Sequence, residues 1–173
     1  TDTIKVYFAV VDVNGNKIWD KAFKRNGFDS NYGTEPASDG GYIILGSRSP
    51  YGSDMRLIKT DSSGNVEWDK AFYTDGGAYS GNIYPRKEQS VKSTNDDGFI
   101  ITGILYRGSY DGSSAFLMKI DASGNKLWST HFGGAKSEQK IVDSDYTNIE
   151  GTAVQQTSDG GYIVAGNQSG NIL

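Results

Sequence analysis

The sequence predicts an all-β protein built from a repeated unit, and three observations lead to that prediction. Glycine is abundant, with 23 residues among 173, whereas proline is rare at 3 and aromatic residues make up 12% of the chain. This composition is typical of short strands joined by tight turns, and disordered chains contain few aromatic residues. Two short motifs also recur three times each and alternate along the chain. We expect residues 1–173 to form one domain.

The first motif is Asp-x-x-Gly-Asn, with Trp seven residues and Phe eleven residues after the Asp. Its copies span residues 12–23, 61–72 and 121–132, and the Asp residues are 49 and 60 positions apart. The Asp side chain can accept hydrogen bonds from the backbone that follows it, and Gly can adopt the positive φ that a hairpin turn needs. Strand-like apolar runs precede each copy. The motif therefore predicts a β-hairpin.

The second motif is an acidic, Gly-containing turn followed by an aromatic residue and a β-branched run. Its copies are Ser-Asp-Gly-Gly-Tyr-Ile-Ile-Leu-Gly at 38–46, Asn-Asp-Asp-Gly-Phe-Ile-Ile-Thr-Gly at 95–103 and Ser-Asp-Gly-Gly-Tyr-Ile-Val-Ala-Gly at 158–166. Together the motifs define a repeat of strand, acidic turn, strand, variable loop, strand, Asp-x-x-Gly-Asn turn and strand. A repeat of four antiparallel strands with this period is typical of a β-propeller blade.

These segments resemble the blade repeats of many secreted or surface-anchored bacterial and archaeal β-propeller proteins. The consensus of those repeats joins Ser-Asp-Gly-Gly-Tyr-Ile-Val-Ala-Gly to Lys-x-Asp-x-x-Gly-Asn-x-x-Trp. The resemblance covers nearly the whole chain and implies the propeller fold. It implies no particular function, because the repeat specifies only the scaffold.

The order of the motifs predicts two whole blades, at 33–72 and 88–132, and half-blades at 1–23 and 151–167. Joined, the two halves would form a third blade. Propellers have about 4–8 blades, so three do not readily close a ring. We expect either a six-bladed homodimer formed by half-blade exchange or a chain that is part of a longer propeller. A β-trefoil, which also has three four-stranded repeats, is the alternative architecture.

Composition and charge exclude several classes of protein. The net charge of −4 and the pI near 4.9 argue against a nucleic-acid partner, because phosphate binding needs a basic surface. No apolar run approaches the ~20 residues of a membrane-spanning helix. The chain has no cysteine, which excludes disulfides and thiol catalysis. An acidic surface rich in Ser, Gly, Asn and Tyr favours an extracellular or cell-surface location.

The variable loops predict where a ligand binds. If the four strands of a blade are numbered in chain order, the turns between strands 1 and 2 and between strands 3 and 4 (turns 1–2 and 3–4) lie on one face of the disc-shaped propeller. The loops between strands 2 and 3 and from strand 4 to the next blade (loops 2–3 and 4–1) lie on the other face. Here the turns are nearly constant between copies, whereas the loops vary and are rich in Tyr. Tyr combines a flat apolar face with a polar tip, which suits sugar stacking and protein contacts, and Arg adds bidentate contacts. The candidate ligand-binding residues are Tyr51, Tyr73, Tyr79, Tyr84, Arg86, Tyr106, Arg107, Tyr110 and Tyr146. Packing of these tyrosines against the blade edges is the alternative.

The sequence contains no recognisable catalytic constellation. His131 is the only histidine, so neither a catalytic triad nor a histidine metal cluster can be assembled around it. Residues 12–16 begin like a calcium loop but lack its later ligands. Carboxylate pairs for glycoside hydrolysis would have to come from Glu35, Glu88, Glu138 and Glu150.

We therefore predict a non-enzymatic protein, without cofactor or metal, that binds a glycan or a protein through the Tyr-rich face. A carbohydrate-active hydrolase or lyase and a purely structural surface module are the alternative functions.

Overall fold

The computed structural model describes residues 5–24, 30–47, 55–72, 82–85, 90–106, 113–133 and 148–169. Within these ranges the chain forms thirteen strands and no helix, which confirms the predicted all-β class. The described part of the chain therefore has no helix able to cross a membrane. In chain order the strands are β1 (Lys5–Val11), β2 (Lys17–Lys24), β3 (Ser30–Pro36), β4 (Tyr42–Ser47), β5 (Met55–Thr60), β6 (Val66–Phe72), β7 (Asn82–Tyr84), β8 (Val91–Ser93), β9 (Phe99–Tyr106), β10 (Ser113–Ile120), β11 (Lys126–Phe132), β12 (Asn148–Gln156) and β13 (Tyr162–Ser169).

The strands pair in four antiparallel groups that follow the sequence repeats. The first hairpin is β1–β2, and the first sheet is β3-β4-β5-β6. In the second sheet, β7 and β8 both pair with β9, which is followed by β10 and β11. The last hairpin is β12–β13, and one parallel pair between Ser113 and Asn148 connects it to β10. Each group contains consecutive strands, as expected for units that repeat along the chain.

The Asp-x-x-Gly-Asn motif forms the same hairpin turn in all three copies. Asp12 Oδ1 accepts hydrogen bonds of 2.8 Å from the backbone N–H groups of Asn14 and Asn16, and Asp12 Oδ2 accepts one of 2.9 Å from Asn16 Nδ2. Asp61 and Asp121 accept the same backbone and side-chain bonds from the Asn four residues later. These hydrogen bonds lower the pKa of all three carboxyl groups. The Asp carboxylates are thus occupied in holding the turns.

The four groups stack face to face, and their described residues form three apolar clusters. The largest cluster joins the two sheets and includes Leu57 and Phe72 from the first and Phe99 and Met118 from the second. The first hairpin packs on the outer face of the first sheet, where its Val6, Phe8 and Phe23 contact Ile44 and Ile58. The last hairpin packs on the outer face of the second sheet, where Tyr162 and Val164 contact Ile100 and Leu117. The two sheets are therefore covered on both faces.

Two lysines are buried at equivalent positions of β5 and β10. Lys59 Nζ donates to Asp39 Oδ2 at 2.7 Å and to Glu67 Oε2 at 2.8 Å, and Lys119 Nζ donates to Asp96 Oδ1 at 2.9 Å. Burial opposes the charge of Lys59, but the hydrogen bonds to its two carboxylate partners outweigh that effect and raise its pKa. Because a buried charge needs a partner, these pairs tie the acidic turn of each sheet to its third strand.

Protonation of Asp96 should lower the stability of the folded protein in acid. Hydrogen bonds from Thr94 Oγ1 and Lys119 Nζ lower the pKa of Asp96 from 3.8 to about 2. A group with a lowered folded-state pKa contributes stability above its unfolded pKa, and that contribution is lost as the pH falls through the folded value. The side chain is 58% exposed, so screening by solvent limits the contribution to about 1 kcal/mol.

Urea unfolding of the wild type and of Asp96→Asn at pH 5 and pH 2 measures this contribution. We expect the wild type to be more stable than Asp96→Asn at pH 5, and we expect most of that difference in unfolding free energy to disappear at pH 2. A difference of the same size at both pH values would contradict the assignment.

Candidate functional site

A cleft of about 390 Å³ opens between the second sheet and the last hairpin. It lies where β9 and β13 end and where β10 and β12 begin, which is the side of the sheets from which loops 2–3 and 4–1 emerge. The acidic turns and the Asp-x-x-Gly-Asn turns lie at the opposite strand ends. The described residues that line it are Ile104, Tyr106, Ser113, Asn148, Ile149, Glu150, Asn167 and Ser169.

The close approach of β12 to the second sheet shapes one wall of the cleft. Ser113 Oγ donates to Asn148 Oδ1 at 3.2 Å beside the single parallel pair that joins β10 and β12. Farther along, β12 lies against β9, and a Cβ atom at Gly151 would lie only 2.1 Å from Thr102 Oγ1. Glycine at this position therefore allows the two strands to come together below the cleft.

The cleft combines one aromatic ring with several hydrogen-bonding groups. Tyr106 is 39% exposed at the end of β9, so part of its side chain is open to solvent. Asn167 Nδ2 donates to Glu150 Oε1 at 2.8 Å across the β12–β13 pair. The amides of Asn148 and Asn167 supply donors and acceptors, and Glu150 supplies acceptors. Such a surface can stack on an apolar ring face and hydrogen-bond the polar groups around it.

A second hollow, of about 430 Å³, also lies between the second sheet and the last hairpin, where it is bordered by β10, β11, β12 and β13. Its lining is mostly apolar and includes Leu117 and Phe132 from the second sheet and Tyr162 and Val164 from β13. Glu150 is one of the residues that border both spaces. This hollow offers fewer hydrogen-bonding groups than the cleft, which makes the cleft the better candidate for a polar ligand.

The structure places two of the nine residues that the sequence predicts for ligand binding. Tyr106 lines the cleft. Tyr84 ends β7, and its backbone pairs with that of Ile104, another residue of the lining. The other seven, Tyr51, Tyr73, Tyr79, Arg86, Arg107, Tyr110 and Tyr146, lie outside the described residues.

The cleft also contains residues that the sequence analysis did not propose as ligand contacts. Asn148 and Ile149 begin β12, Asn167 lies near the end of β13, and Glu150 was considered only as a hydrolytic acid. The predicted ligand-binding residues are all Tyr or Arg, whereas these residues have other side chains and lie on strands that meet the second sheet only in the folded protein. In the sequence, only their position next to the variable loops could have identified these residues as ligand contacts.

The remaining candidates for catalysis have other surroundings. Glu35 is nearly buried and accepts hydrogen bonds from Lys92 Nζ at 2.9 Å and from Ser93, so it joins the two sheets. His131 is exposed on β11. Glu88 and Glu138 lie outside the described residues. Among the residues that are described, no group of three or more His, Cys, Asp or Glu side chains could hold a metal ion.

Comparison of the chain with protein-family models and with curated proteins found no match.

Proposed function

We propose that this protein is a non-enzymatic β-propeller that acts outside the cell or on its surface and binds a glycan through the Tyr106 cleft. The observation that carries the proposal is the cleft itself, where an accessible tyrosine lies beside amide and carboxylate groups on the variable-loop side. A protein ligand on the same Tyr-rich face is the second candidate, because tyrosine also favours protein contacts.

The arrangement of the sheets supports a propeller. The strands that precede the acidic turns of three successive groups, β3, β8 and β12, are neighbours, with β8 between the other two. A propeller places the innermost strand of each four-stranded blade around a central channel. Consecutive strand order within each sheet and face-to-face stacking of the sheets also favour a propeller over a trefoil.

The chemistry of the lining favours an uncharged sugar. The described residues of the lining include no Lys or Arg, so a phosphate or sulfate group would find no cationic partner among them. Sugar rings present apolar C–H faces and hydroxyl groups, which match the Tyr106 ring and the amides of Asn148 and Asn167. The volume of about 390 Å³ lies within the ~300–1,000 Å³ range of small-molecule sites.

The cleft is better suited to binding than to glycoside hydrolysis. Hydrolysis by most glycosidases needs two carboxyl groups, about 5–9.5 Å apart, on either side of the scissile bond. Glu150 is the only carboxylate among the described lining residues, and it already accepts a hydrogen bond from Asn167. A single engaged carboxylate can orient a sugar hydroxyl without cleaving a bond.

Removing the Tyr106 ring should weaken glycan binding. We expect Tyr106→Ala to lower affinity at least tenfold, about 1.4 kcal/mol, because stacking is lost, whereas Tyr106→Phe should stay within about threefold. A glycan array of neutral oligosaccharides, followed by calorimetry on the best ligand, measures this. Gln155→Ala is the control, because Gln155 is exposed on β12 away from the cleft. Absence of glycan binding by the wild type, or equal binding by Tyr106→Ala, would contradict the proposal.

Replacing the Glu150 carboxylate should separate binding from catalysis. We expect Glu150→Gln to bind the same glycan with a moderately lower affinity, because a charge-assisted hydrogen bond becomes a neutral one. Chromatography of the glycan after long incubation should show no products with either protein. Products released by the wild type but not by Glu150→Gln would instead support the carbohydrate-active enzyme.

A further inference from the structure

We infer that the last hairpin, β12–β13, is completed into a four-stranded sheet by the first hairpin, β1–β2, of a second copy of this chain. The inference rests on the proposed propeller architecture and is independent of whether the cleft binds a glycan. It follows from the contact between a Trp and the turn of the next unit, which the interior units make in full. Among the described residues, Trp128 of the second sheet lacks such a turn, and the turn at residues 12–16 of the first hairpin lacks such a Trp.

In the interior of the stack, each Trp covers the Asp-x-x-Gly-Asn turn of the next unit. Trp19 Nε1 donates to the Ser62 carbonyl at 2.9 Å. The Trp19 ring packs against Gly64, where an added Cβ atom would lie only 2.8 Å from Trp19 Cη2. Trp68 Nε1 donates in the same way to the Ala122 carbonyl at 3.1 Å. The second residue of the turn thus supplies the acceptor, and the Gly makes room for the ring.

One Trp and one turn remain among the described residues. Trp128 is 39% exposed and contacts Tyr162 edge to face, with ring centroids 5.6 Å apart, much as Trp19 contacts Tyr42 at 5.9 Å. It is therefore oriented like an interior Trp, but it covers no described turn. In the turn at residues 12–16, a Cβ atom at Gly15 would meet nothing within 4 Å.

The free Trp and the free turn cannot meet within one copy. The first hairpin packs on the outer face of the first sheet, and the last hairpin packs on the outer face of the second. The two sheets, which pack against each other, lie between them. A second copy brings its own turn at residues 12–16, and the repeat spacing then places the Val13 carbonyl where Trp128 Nε1 can donate to it.

The exposed apolar residues lie where this second copy would cover them. Ile163 on β13 is 61% exposed, whereas its repeat equivalents Ile43 and Ile100 are completely buried. Phe132, beside the 430 Å³ hollow, is 47% exposed, whereas its equivalent Phe72 is buried. An exposed apolar strand edge promotes association with another strand.

The first hairpin has the complementary surface. Val6 and Phe8 of β1 pack on the first sheet, while Tyr7, Ala9 and Val11 on the opposite face are exposed. Ala9 is the repeat equivalent of Ile58, which faces the preceding unit in the interior of the stack. In the proposed assembly this face of β1 would enter the hollow beside Phe132 and Val164.

The interior sheets also define the register of the new pairing. Tyr42 on β4 lies opposite Thr60 on β5, and the next pair is Ile43 with Lys59. The same spacing on β13 and β1 places Tyr162 opposite Val11 of the second copy and Ile163 opposite its Val10. Each of two copies can offer both surfaces, so a two-fold arrangement closes with six blades, within the usual range of about 4–8.

The oligomeric state is the first test. Analytical ultracentrifugation of the wild-type chain should give twice the monomer mass of 18.7 kDa. Trp128→Ala should weaken self-association at least tenfold, because it removes both the ring contact and the hydrogen-bond donor. A monomer at all concentrations, including micromolar ones, would overturn the inference, as would a Trp128→Ala variant that folds and dimerises like the wild type.

Disulfide crosslinking tests the register, and it does not depend on the Trp128 variant folding. The chain has no cysteine, so a Val10→Cys/Ile163→Cys variant forms only the engineered bond. Opposite residues of antiparallel strands have Cα atoms about 4.5–5.5 Å apart, which a disulfide can span. We expect a covalent dimer on oxidation, with little from the control Val10→Cys/Val164→Cys, whose second cysteine points to the other face. Equal crosslinking of both variants, or of neither, would overturn the proposed pairing.

Loss of dimerisation and loss of glycan binding are separate results. A dimer that binds no glycan contradicts the proposed function alone, and a monomer that binds a glycan through Tyr106 contradicts the second-copy assembly alone.

Discussion

The stacking of the units depends on the contact between a Trp and the Asp-x-x-Gly-Asn turn of the next unit. The turn needs its Asp to hold the backbone, and the Gly leaves space for the indole ring. Lysines reinforce the contact, since Lys21 Nζ reaches Asn65 Oδ1 at 2.8 Å and Lys70 Nζ reaches Asn125 Oδ1 at 3.0 Å. Asp, Gly, Asn and Trp recur together because each takes part in the same inter-unit contact.

This contact lies at one end of the strands, and the cleft lies at the other. At the turn end, Lys59 and Lys119 pair with the acidic turn of their own sheet, while the Trp–turn contact joins one unit to the next. The opposite end is free of these constraints, and residues there can vary without loss of the scaffold. Tyr106, Glu150 and Asn167 lie at that end, which is why we place ligand binding there.

Local chemistry in the sequence was sufficient to predict the all-β class and the turns, because Asp-x-x-Gly-Asn forms its hydrogen bonds within five residues. The repeat predicts a blade at residues 88–132, and β7 precedes that range. The structure also pairs β7 (Asn82–Tyr84) with β9, before Pro85, which has no N–H to donate to a strand ladder. Tyr106 is the one predicted ligand-binding residue that lines the cleft among the described residues, because Asn148 and Asn167 reach the cleft through contacts between units that are distant in sequence.

A double-mutant cycle on Trp68 and Gly124 tests most directly whether the Trp–turn contact holds the units together. A Cβ atom at Gly124 would lie 3.0 Å from the Trp68 ring, and the positive φ of 74° adds strain that does not involve the ring. Gly124→Ala should therefore cost at least about 1 kcal/mol more unfolding free energy in the wild type than in a Trp68→Ala background, where only the strain remains. Equal costs in the two backgrounds would show that the Trp68 ring and the Gly124 turn do not interact, and would contradict a role for this contact in holding the units together.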